Sequence, residues 1–70
     1  MENNMTFGQR LEYTMDVRGR RKRELAESIG YDASSMSKWC YDESEPRLSA
    51  IQGLCKELKC SADWLVFGKR

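Results

Sequence analysis

The highest local density of charged side chains in this chain is a cluster of cations in residues 18–23, which read Arg-Gly-Arg-Arg-Lys-Arg. The cluster leads into a predicted helix, and a helix N-terminus already presents free N–H groups and positive potential. Cations are unfavourable there for the helix dipole, which indicates a functional reason for them. We therefore predict that phosphate groups are contacted by Arg18, Arg20, Arg21, Lys22 and Arg23. A solvated basic face and, from composition alone, a nuclear-localisation signal are the alternatives.

A second set of residues places small polar side chains on one face of a predicted helix. Asp32 can cap the N-terminus of this helix, and Met36 and Trp39 fall on its inward face. The outward positions are Ser34, Ser35, Ser37 and Lys38. Hydroxyl and ammonium groups can bond to base edges in a DNA groove, although solvated surface is the simpler alternative.

The helix before it completes a recognisable motif. Leu25, Ala26 and Ile29 mark its buried face, and Gly30 lies where it must end, because glycine adopts the left-handed conformation without a side-chain clash. Two short helices joined by a tight glycine-containing turn are typical of a helix-turn-helix, whose second helix can lie in the DNA major groove. Sequence-specific binding of double-stranded DNA is therefore the leading hypothesis.

Five helices are predicted, and no segment alternates with the period of a strand. Thr6 and Gln9 form a capping box, and the apolar stripe of Phe7, Leu11 and Met15 predicts a first helix that ends by Gly19. The later helices are predicted at about 21–28, 33–40 or 41, 47–58 and 62–66. Gly53 inside the fourth helix indicates a close contact with another helix. The predicted core residues are Leu25, Ile29, Trp39, Leu48, Ile51, Leu58 and Trp64.

Length and composition restrict the class of protein. Seventy residues, 40% hydrophobic and 33% charged, are typical of one globular domain, and no apolar run approaches the roughly 20 residues that span a bilayer. An enzyme is disfavoured, because the chain has no histidine and no glycine-rich phosphate loop. Three cysteines give neither an even disulfide set nor four zinc ligands. We expect Cys40 and Cys55 to be buried, with redox sensing by Cys40 or Cys60 as the alternative. No cofactor or metal and a cytosolic location are expected, or a nuclear one if the host has a nucleus.

The charge of the chain is segregated rather than large. Twelve basic and eleven acidic residues give a net charge of +1, yet residues 42–45 read Asp-Glu-Ser-Glu. A DNA phosphate backbone interacts with the local charge of the cation cluster and not with the net charge of the whole chain. The acidic residues are candidates for ion pairs with the cluster, either within a chain or across a dimer, in the combinations of Asp42, Glu43 or Glu45 with Arg18 or Arg20. The low net charge also supports an alternative function as a protein-interaction module, such as an antitoxin or an accessory phage factor.

The order of elements resembles the lambda-type phage repressor and Cro superfamily over about residues 6–68, without insertion or deletion. The residues that carry the resemblance are Leu25, Ala26 and Gly30, Met36 and Trp39, Pro46 seven residues after that Trp, and the ending Trp64-Leu65-Val66-Phe67-Gly68. Many members have Gln at the positions of Lys22 and Ala33. The usual Glu-Arg-Gly-Lys after the Trp is replaced here by residues 40–43, Cys-Tyr-Asp-Glu. In the family, that loop often contacts DNA phosphates, which an acidic loop would repel. We therefore expect the contacts with the DNA backbone to come mainly from the cation cluster.

The resemblance implies an all-α, five-helix lambda-repressor-like domain over residues 1–70, with the helix-turn-helix formed by helices 2 and 3. In relatives, the DNA bases are faced by the residues at the positions of Ala33, Ser34, Ser37 and Lys38. Lys38 is the strongest candidate, since an ammonium group can bond guanine O6 and N7, and Ala33 can meet a thymine methyl. Tyr41 can bond a phosphate, with covering the core edge as the equal alternative.

The resemblance also implies a partner. The last residues, Trp64, Leu65, Val66 and Phe67, are apolar for an exposed terminus, and the C-terminal helix region commonly contributes to dimerisation in the family. Closing the monomer core is the alternative. A homodimer would place two reading helices about one DNA turn apart on a pseudo-palindromic operator. The resulting interpretation is a phage-type transcriptional repressor with no small-molecule substrate and no membrane contact.

Overall fold

The structure is a computed structural model that describes residues 4–69. Its elements are α1 (Phe7–Arg18), α2 (Lys22–Ser28), α3 (Ala33–Cys40), α4 (Leu48–Leu58) and α5 (Ala62–Phe67), with no strand among the described residues. The predicted all-α, five-helix fold is confirmed, and each boundary lies within one residue of the prediction. The ends of the predicted domain, residues 1–3 and 70, lie outside the described residues.

The helices begin where local capping chemistry predicts. The Gln9 N–H donates to Thr6 Oγ1 at 3.1 Å, and the Thr6 N–H donates to Gln9 Oε1 at 2.9 Å, which completes the predicted capping box of α1. At α5 the Trp64 N–H donates to Ser61 Oγ at 3.1 Å. These bonds satisfy N–H groups that have no acceptor inside the helix.

The core forms where the inner faces of the helices meet. Its fully buried side chains are Leu11, Leu25, Met36, Leu54, Leu58 and Leu65. Trp39 is also buried, as predicted, whereas Ile29 and Ile51 are only half-buried. The prediction for Leu48 is wrong, since its side chain is 70% exposed. The buried face of α4 begins at Ala50, and Leu48 lies roughly 200° around the helix axis from it.

At Gly8, α1 approaches the end of α3 closely. A Cβ atom on Gly8 would lie 2.2 Å from the carbonyl oxygen of Cys40 and 2.7 Å from that of Trp39. Both are backbone atoms, so no side-chain rotation can make room for it. Glycine is therefore required by space at this position, and it lets the start of α1 rest directly on the end of α3.

Gly53 has a milder version of the same role. A Cβ atom there would lie 2.9 Å from Cγ2 and 3.3 Å from Cβ of Ile29, which are side-chain atoms rather than backbone. The close helix contact predicted from this glycine is confirmed, and its partner is the residue that caps the C-terminus of α2. Among residues 4–69, no helix has the length and apolar character needed to cross a membrane.

A buried arginine ties both ends of the chain to α1. The Arg10 side chain donates from Nε to Leu65 O at 2.9 Å, from Nη2 to Val66 O at 2.8 Å, and from Nη1 to Met5 O. Arg10 is 7% exposed, and no carboxylate of the described residues lies within ion-pair distance of it. Carbonyls at the C-terminal end of α5 carry partial negative charge, so they stabilise this cation.

Candidate nucleic-acid interface

The turn between α2 and α3 fixes the angle of the predicted reading helix. After the C-cap Ile29, Gly30 adopts φ +84°, and the Tyr31 N–H donates to Ala26 O at 2.8 Å. This is the Schellman arrangement, which ends a helix tightly and favours glycine. The Tyr31 ring then packs edge-on against Trp39 with 4.9 Å between centroids. As predicted, Gly30 ends the first helix of the motif, and an aromatic pair anchors the second.

Asp32 caps the N-terminus of α3. Its carboxylate accepts from the Ser35 N–H at 2.8 Å, as the sequence predicts. This backbone hydrogen bond is the main reason that the pKa of Asp32 lies below its ordinary value. The carboxylate therefore stays ionised at neutral pH, and its negative charge interacts favourably with the positive N-terminal end of the α3 dipole.

The predicted base-reading residues follow one another along α3 with little intramolecular commitment. Ser34 and Lys38 are exposed, and Ala33 and Ser37 are half-buried. Within residues 4–69, the side chains of Ser34, Ser37 and Lys38 enter no recorded hydrogen bond or ion pair. Polar groups in this state are available to a ligand, and their reading role stays a prediction.

The predicted phosphate-contacting cluster divides into three groups, of which the first is exposed. Arg21 is the exposed N-cap of α2 and makes no side-chain cap bond. Arg23 is 83% exposed in its side chain and has only a surface ion pair with Glu27 at 3.4 Å. A surface pair of this kind contributes little, so both guanidinium groups can turn towards a polyanion. These two residues keep the predicted role.

Arg18 and Arg20 are instead bound to the end of α4. The Arg18 side chain donates to the carbonyls of Leu58 and Lys59 at 2.8 and 3.1 Å. Arg20 donates to the Glu57 carbonyl at 3.0 Å and pairs with its carboxylate at 3.2 Å. The helix C-terminus attracts them because its last carbonyls lack partners and carry negative partial charge. Their predicted phosphate contacts therefore compete with bonds they already make.

Lys22 lies between an aromatic ring and a carboxylate. Its Nζ is 4.9 Å from the centroid of the Tyr41 ring and 3.7 Å from Glu12 Oε2. The Tyr41 side chain is 63% exposed, so it does not cover the core edge. The structure thus brings together two predicted phosphate contacts, Lys22 at the start of α2 and Tyr41 just after α3.

Within the described chain, the acidic loop does not pair with the cation cluster. Asp42 caps α1 instead, accepting from the Thr6 hydroxyl at 2.6 Å and from the Gly8 N–H at 2.9 Å. The ion pairs predicted for Asp42, Glu43 and Glu45 with Arg18 or Arg20 are absent from the described residues, because both arginines bind the end of α4. The free N–H groups at the start of α1 provide a closer positive end for Asp42.

The predicted dimer surface is smaller than the sequence indicates. Leu65 is fully buried and Trp64 is 9% exposed, with its Nε1–H donating to Thr14 Oγ1 at 2.8 Å. These two residues close the monomer core, so the prediction of contact-surface roles for them is wrong. Val66 is half-buried and lines a largely apolar groove with Phe7, Pro46 and Ile51, and Glu45 also borders it. Phe67 is 68% exposed.

The cysteines are placed as small apolar residues. Cys40 is buried as predicted, whereas Cys55 and Cys60 are half-buried at the end of α4. Burial raises the pKa of the Cys40 and Cys60 thiols to about 11. The thiolate is the reactive form, so both thiols are poorly reactive at neutral pH. This disfavours the redox-sensing alternative.

Sequence reasoning missed three functional contacts of this surface and its support. They are the Arg10 clamp, the Asp42 cap and the Glu12–Lys22–Tyr41 group. A signal existed for the first, since Arg10 lies three residues after Phe7 and therefore on the apolar stripe of α1. The other two join residues from distant parts of the sequence, and no local pattern indicates them.

Comparisons with known proteins agree with this geometry. Residues 10–63 match the model of the Cro/C1-type HTH DNA-binding domain. The chain is 34% identical over 65 residues to the HTH-type transcriptional regulator DicA of Escherichia coli (strain K12), a match that covers 93% of this chain and 48% of DicA. The chain thus spans about half the length of this curated relative.

Solved structures show the same fold. The crystal structure of the P22 c2 repressor in complex with synthetic operator 9T superimposes with a TM-score of 0.88 at 27% identity, covering 94% of this chain and all of that chain. The solution structure of the P22 c2 repressor DNA-binding domain gives a TM-score of 0.86 at 29% identity, covering 94% and 87%. The five-helix, lambda-repressor-like fold class is confirmed.

Proposed function

Because this chain belongs to the Cro/C1-type HTH DNA-binding domain family, we propose that it is a transcriptional repressor that binds a double-stranded DNA operator by sequence. The family is one of DNA-binding domains and not of enzymes. The likeness to the P22 c2 repressor, solved on a synthetic operator, supports the phage-type role. In this proposal the repressor acts in the bacterial cytosol, and the domain needs no cofactor to bind DNA.

One observation carries the proposal. The outward side chains of α3 are uncommitted, while its inward side chains Met36 and Trp39 hold it firmly on the core. A helix that is rigidly mounted and has free donors on its outer face suits insertion into the major groove. The base-reading residues of the proposal are Ala33, Ser34, Ser37 and Lys38.

Phosphate contacts in the proposal come mainly from the exposed guanidinium groups beside this helix. Arg21 and Arg23 are free to reach the backbone, and the exposed Tyr41 hydroxyl can donate to a phosphate oxygen. Arg18 and Arg20 play a smaller part, because binding phosphate would break their bonds to the end of α4.

The proposal is tested by selecting the purified chain against a random duplex pool and titrating the winner at several salt concentrations. Enrichment of an inverted repeat with half-sites about 10 base pairs apart, with steep salt dependence, is the expected result. Enrichment of a single half-site would keep DNA reading and remove the homodimer. Failure to enrich any sequence would contradict the proposal and favour the protein-interaction alternative.

Lys38 and Arg21 are expected to respond differently to removal. Lys38→Ala should relax the preference at one base pair per half-site, losing about 1–3 kcal/mol of discrimination there. Arg21→Ala should weaken binding to every sequence and reduce the salt slope by about 0.9 per site. Competition titrations with single-base variants of the selected operator separate the two effects. Equal losses on all sequences from both variants would remove Lys38 from the reading role.

The proposed homodimer uses the exposed part of the C-terminal surface. Phe67 protrudes beside Val66, whose groove also contains Pro46, and Leu48 is exposed two residues further on. We propose that these residues form one apolar interaction surface, since contiguous exposed apolar patches mark interaction sites. Phe67→Ser should weaken self-association by roughly a hundredfold, since two phenyl rings leave the interface of each dimer. Analytical ultracentrifugation measures this change.

Val17→Ser is the matched control for the dimer test. Val17 is 59% exposed on α1 and lies outside the proposed surface. The control should associate like the wild type. If both variants dimerise equally well, the proposed surface is wrong.

A further inference from the structure

The structure assigns Lys22 a positioning role: its ammonium group holds the Tyr41 ring so that the phenol hydroxyl is presented to a DNA phosphate. This inference rests on the proposed function and adds a division of labour within it. The sequence predicts that Lys22 contacts phosphate directly, like its neighbours Arg21 and Arg23. The contacts of the side chain separate Lys22 from those two residues.

The first argument is where the Lys22 charge already lies. Its Nζ is 4.9 Å from the Tyr41 ring centroid, within the range of a cation–π contact. The Lys22 side chain is 29% exposed, against 83% for Arg23. The methylene stem of Lys22 is therefore largely covered, and its charged end is directed to the ring that follows α3.

The second argument is charge balance. Glu12 Oε2 lies 3.7 Å from Lys22 Nζ, so α1 supplies a counter-charge for the ammonium group. This pair is less exposed than the Arg23–Glu27 pair, with side chains 29% and 47% exposed against 83% and 65%, so it is less screened by water and less readily exchanged for a DNA phosphate. Lys22 is therefore a poor phosphate clamp as it stands. It is well suited to linking Glu12 on α1 with Tyr41 at the end of α3.

The third argument is what the link holds. Tyr41 is 63% exposed, and its N–H continues the last turn of α3 by bonding Ser37 O at 3.0 Å. An exposed ring of this kind rotates about its side-chain bonds unless a contact restrains it. Within the described chain, the Lys22 ammonium contacts the Tyr41 ring. Restraining the ring reduces the entropy lost when its hydroxyl bonds a phosphate.

The test compares Lys22→Met with Arg21→Met, which removes an equal charge one residue away without touching the ring. Both are combined with Tyr41→Phe, which keeps the ring and removes only the hydroxyl. Binding to the selected operator is titrated at four salt concentrations for all single and double variants. We expect Lys22→Met and Tyr41→Phe each to weaken binding about fivefold with an unchanged salt slope, and the pair together to weaken it no further.

Arg21→Met should behave otherwise. Arg21→Met and Tyr41→Phe should act independently, so the double variant should lose affinity by the product of the two single-variant factors. Arg21→Met should also reduce the salt slope by about 0.9. If Lys22→Met also flattens the slope and multiplies with Tyr41→Phe, Lys22 is a direct phosphate contact and the inference is wrong. Absence of duplex binding by the wild type would instead refute the proposed function.

A readout without DNA checks the contact itself. The NMR signals of the Tyr41 ring protons should shift on Lys22→Met, because the cation over the ring is lost, and should stay in place on Arg21→Met. Lys22→Arg should keep the shift close to that of the wild type, since a guanidinium also stacks on an aromatic face. Unchanged Tyr41 signals in Lys22→Met would overturn the inference whatever the DNA titration shows.

Discussion

Replacing Gly8 with alanine is expected to destabilise the domain by about 3 kcal/mol, which is a large share of the roughly 4–10 kcal/mol available to 70 residues. The added methyl group would lie 2.2 Å from the Cys40 carbonyl oxygen, and the obstructing atoms belong to the backbone of α3. Relief requires moving α1 away from α3, which also weakens the Asp42 cap on the Gly8 N–H. Urea unfolding followed by circular dichroism measures the loss.

Gly53→Ala is the matched control for this substitution. Its methyl group would lie 2.9 Å from Cγ2 and 3.3 Å from Cβ of Ile29. Ile29 is half-buried and follows the last turn of α2, so it can give way by a few tenths of an ångström more easily than the backbone of α3. Alanine is also better than glycine inside a helix by about 1 kcal/mol, which offsets the contact. We expect its stability to stay within about 1 kcal/mol of the wild type. A Gly8→Ala protein as stable as Gly53→Ala would contradict the close approach of α1 and α3.

The second large effect is expected from Arg10→Met. Methionine fills much of the same space but cannot donate to the carbonyls of Met5, Leu65 and Val66. Buried carbonyls without donors each cost about 1–3 kcal/mol, so the end of α5 should detach to reach water. We expect a loss of about 3 kcal/mol in the free energy of unfolding.

The consequence for function follows from the position of the clamp. Arg10 holds the carbonyls of Leu65 and Val66, next to the exposed Phe67 of the proposed dimer surface. At a temperature where Arg10→Met is still folded, its self-association should therefore be lost. Arg23→Met, made at an exposed position, should change the free energy of unfolding by less than about 0.5 kcal/mol. Equal stability of the two variants would show that the clamp contributes nothing.

The sequence predicts this fold well because its signals are local. The Thr6–Gln9 capping box, the Asp32 cap and Gly30 each act within four residues, and the structure confirms all three. The prediction for Leu48 failed because an apolar residue at the start of a helix fits the 3.6-residue period without necessarily lying on its inner face. Periodicity therefore predicts the helix, but it does not predict which residues of the first turn face the core.

The site was less predictable, because charge contacts join residues that are distant in sequence. The five neighbouring cations look equivalent in the sequence. In the structure, however, two of them bind the end of α4 and one lies over the Tyr41 ring. Their partners come from residues up to 41 positions away. Composition therefore identifies a basic surface, and only the packing of α4 and α1 decides which cations remain free on it.

The absence of side-chain bonds at Ser34, Ser37 and Lys38 within the described chain has a consequence for evolution. Substitutions at exposed positions without partners, such as Ser34 and Lys38, usually change stability by less than about 0.5 kcal/mol. The half-buried Ser37 can be exchanged for other small residues. These changes should have little effect on the scaffold that Trp39, Gly8 and Arg10 maintain. New operator preferences are then accessible through single mutations that pass through folded intermediates. A library randomised at these three positions should consist largely of folded proteins with diverged recognition sequences.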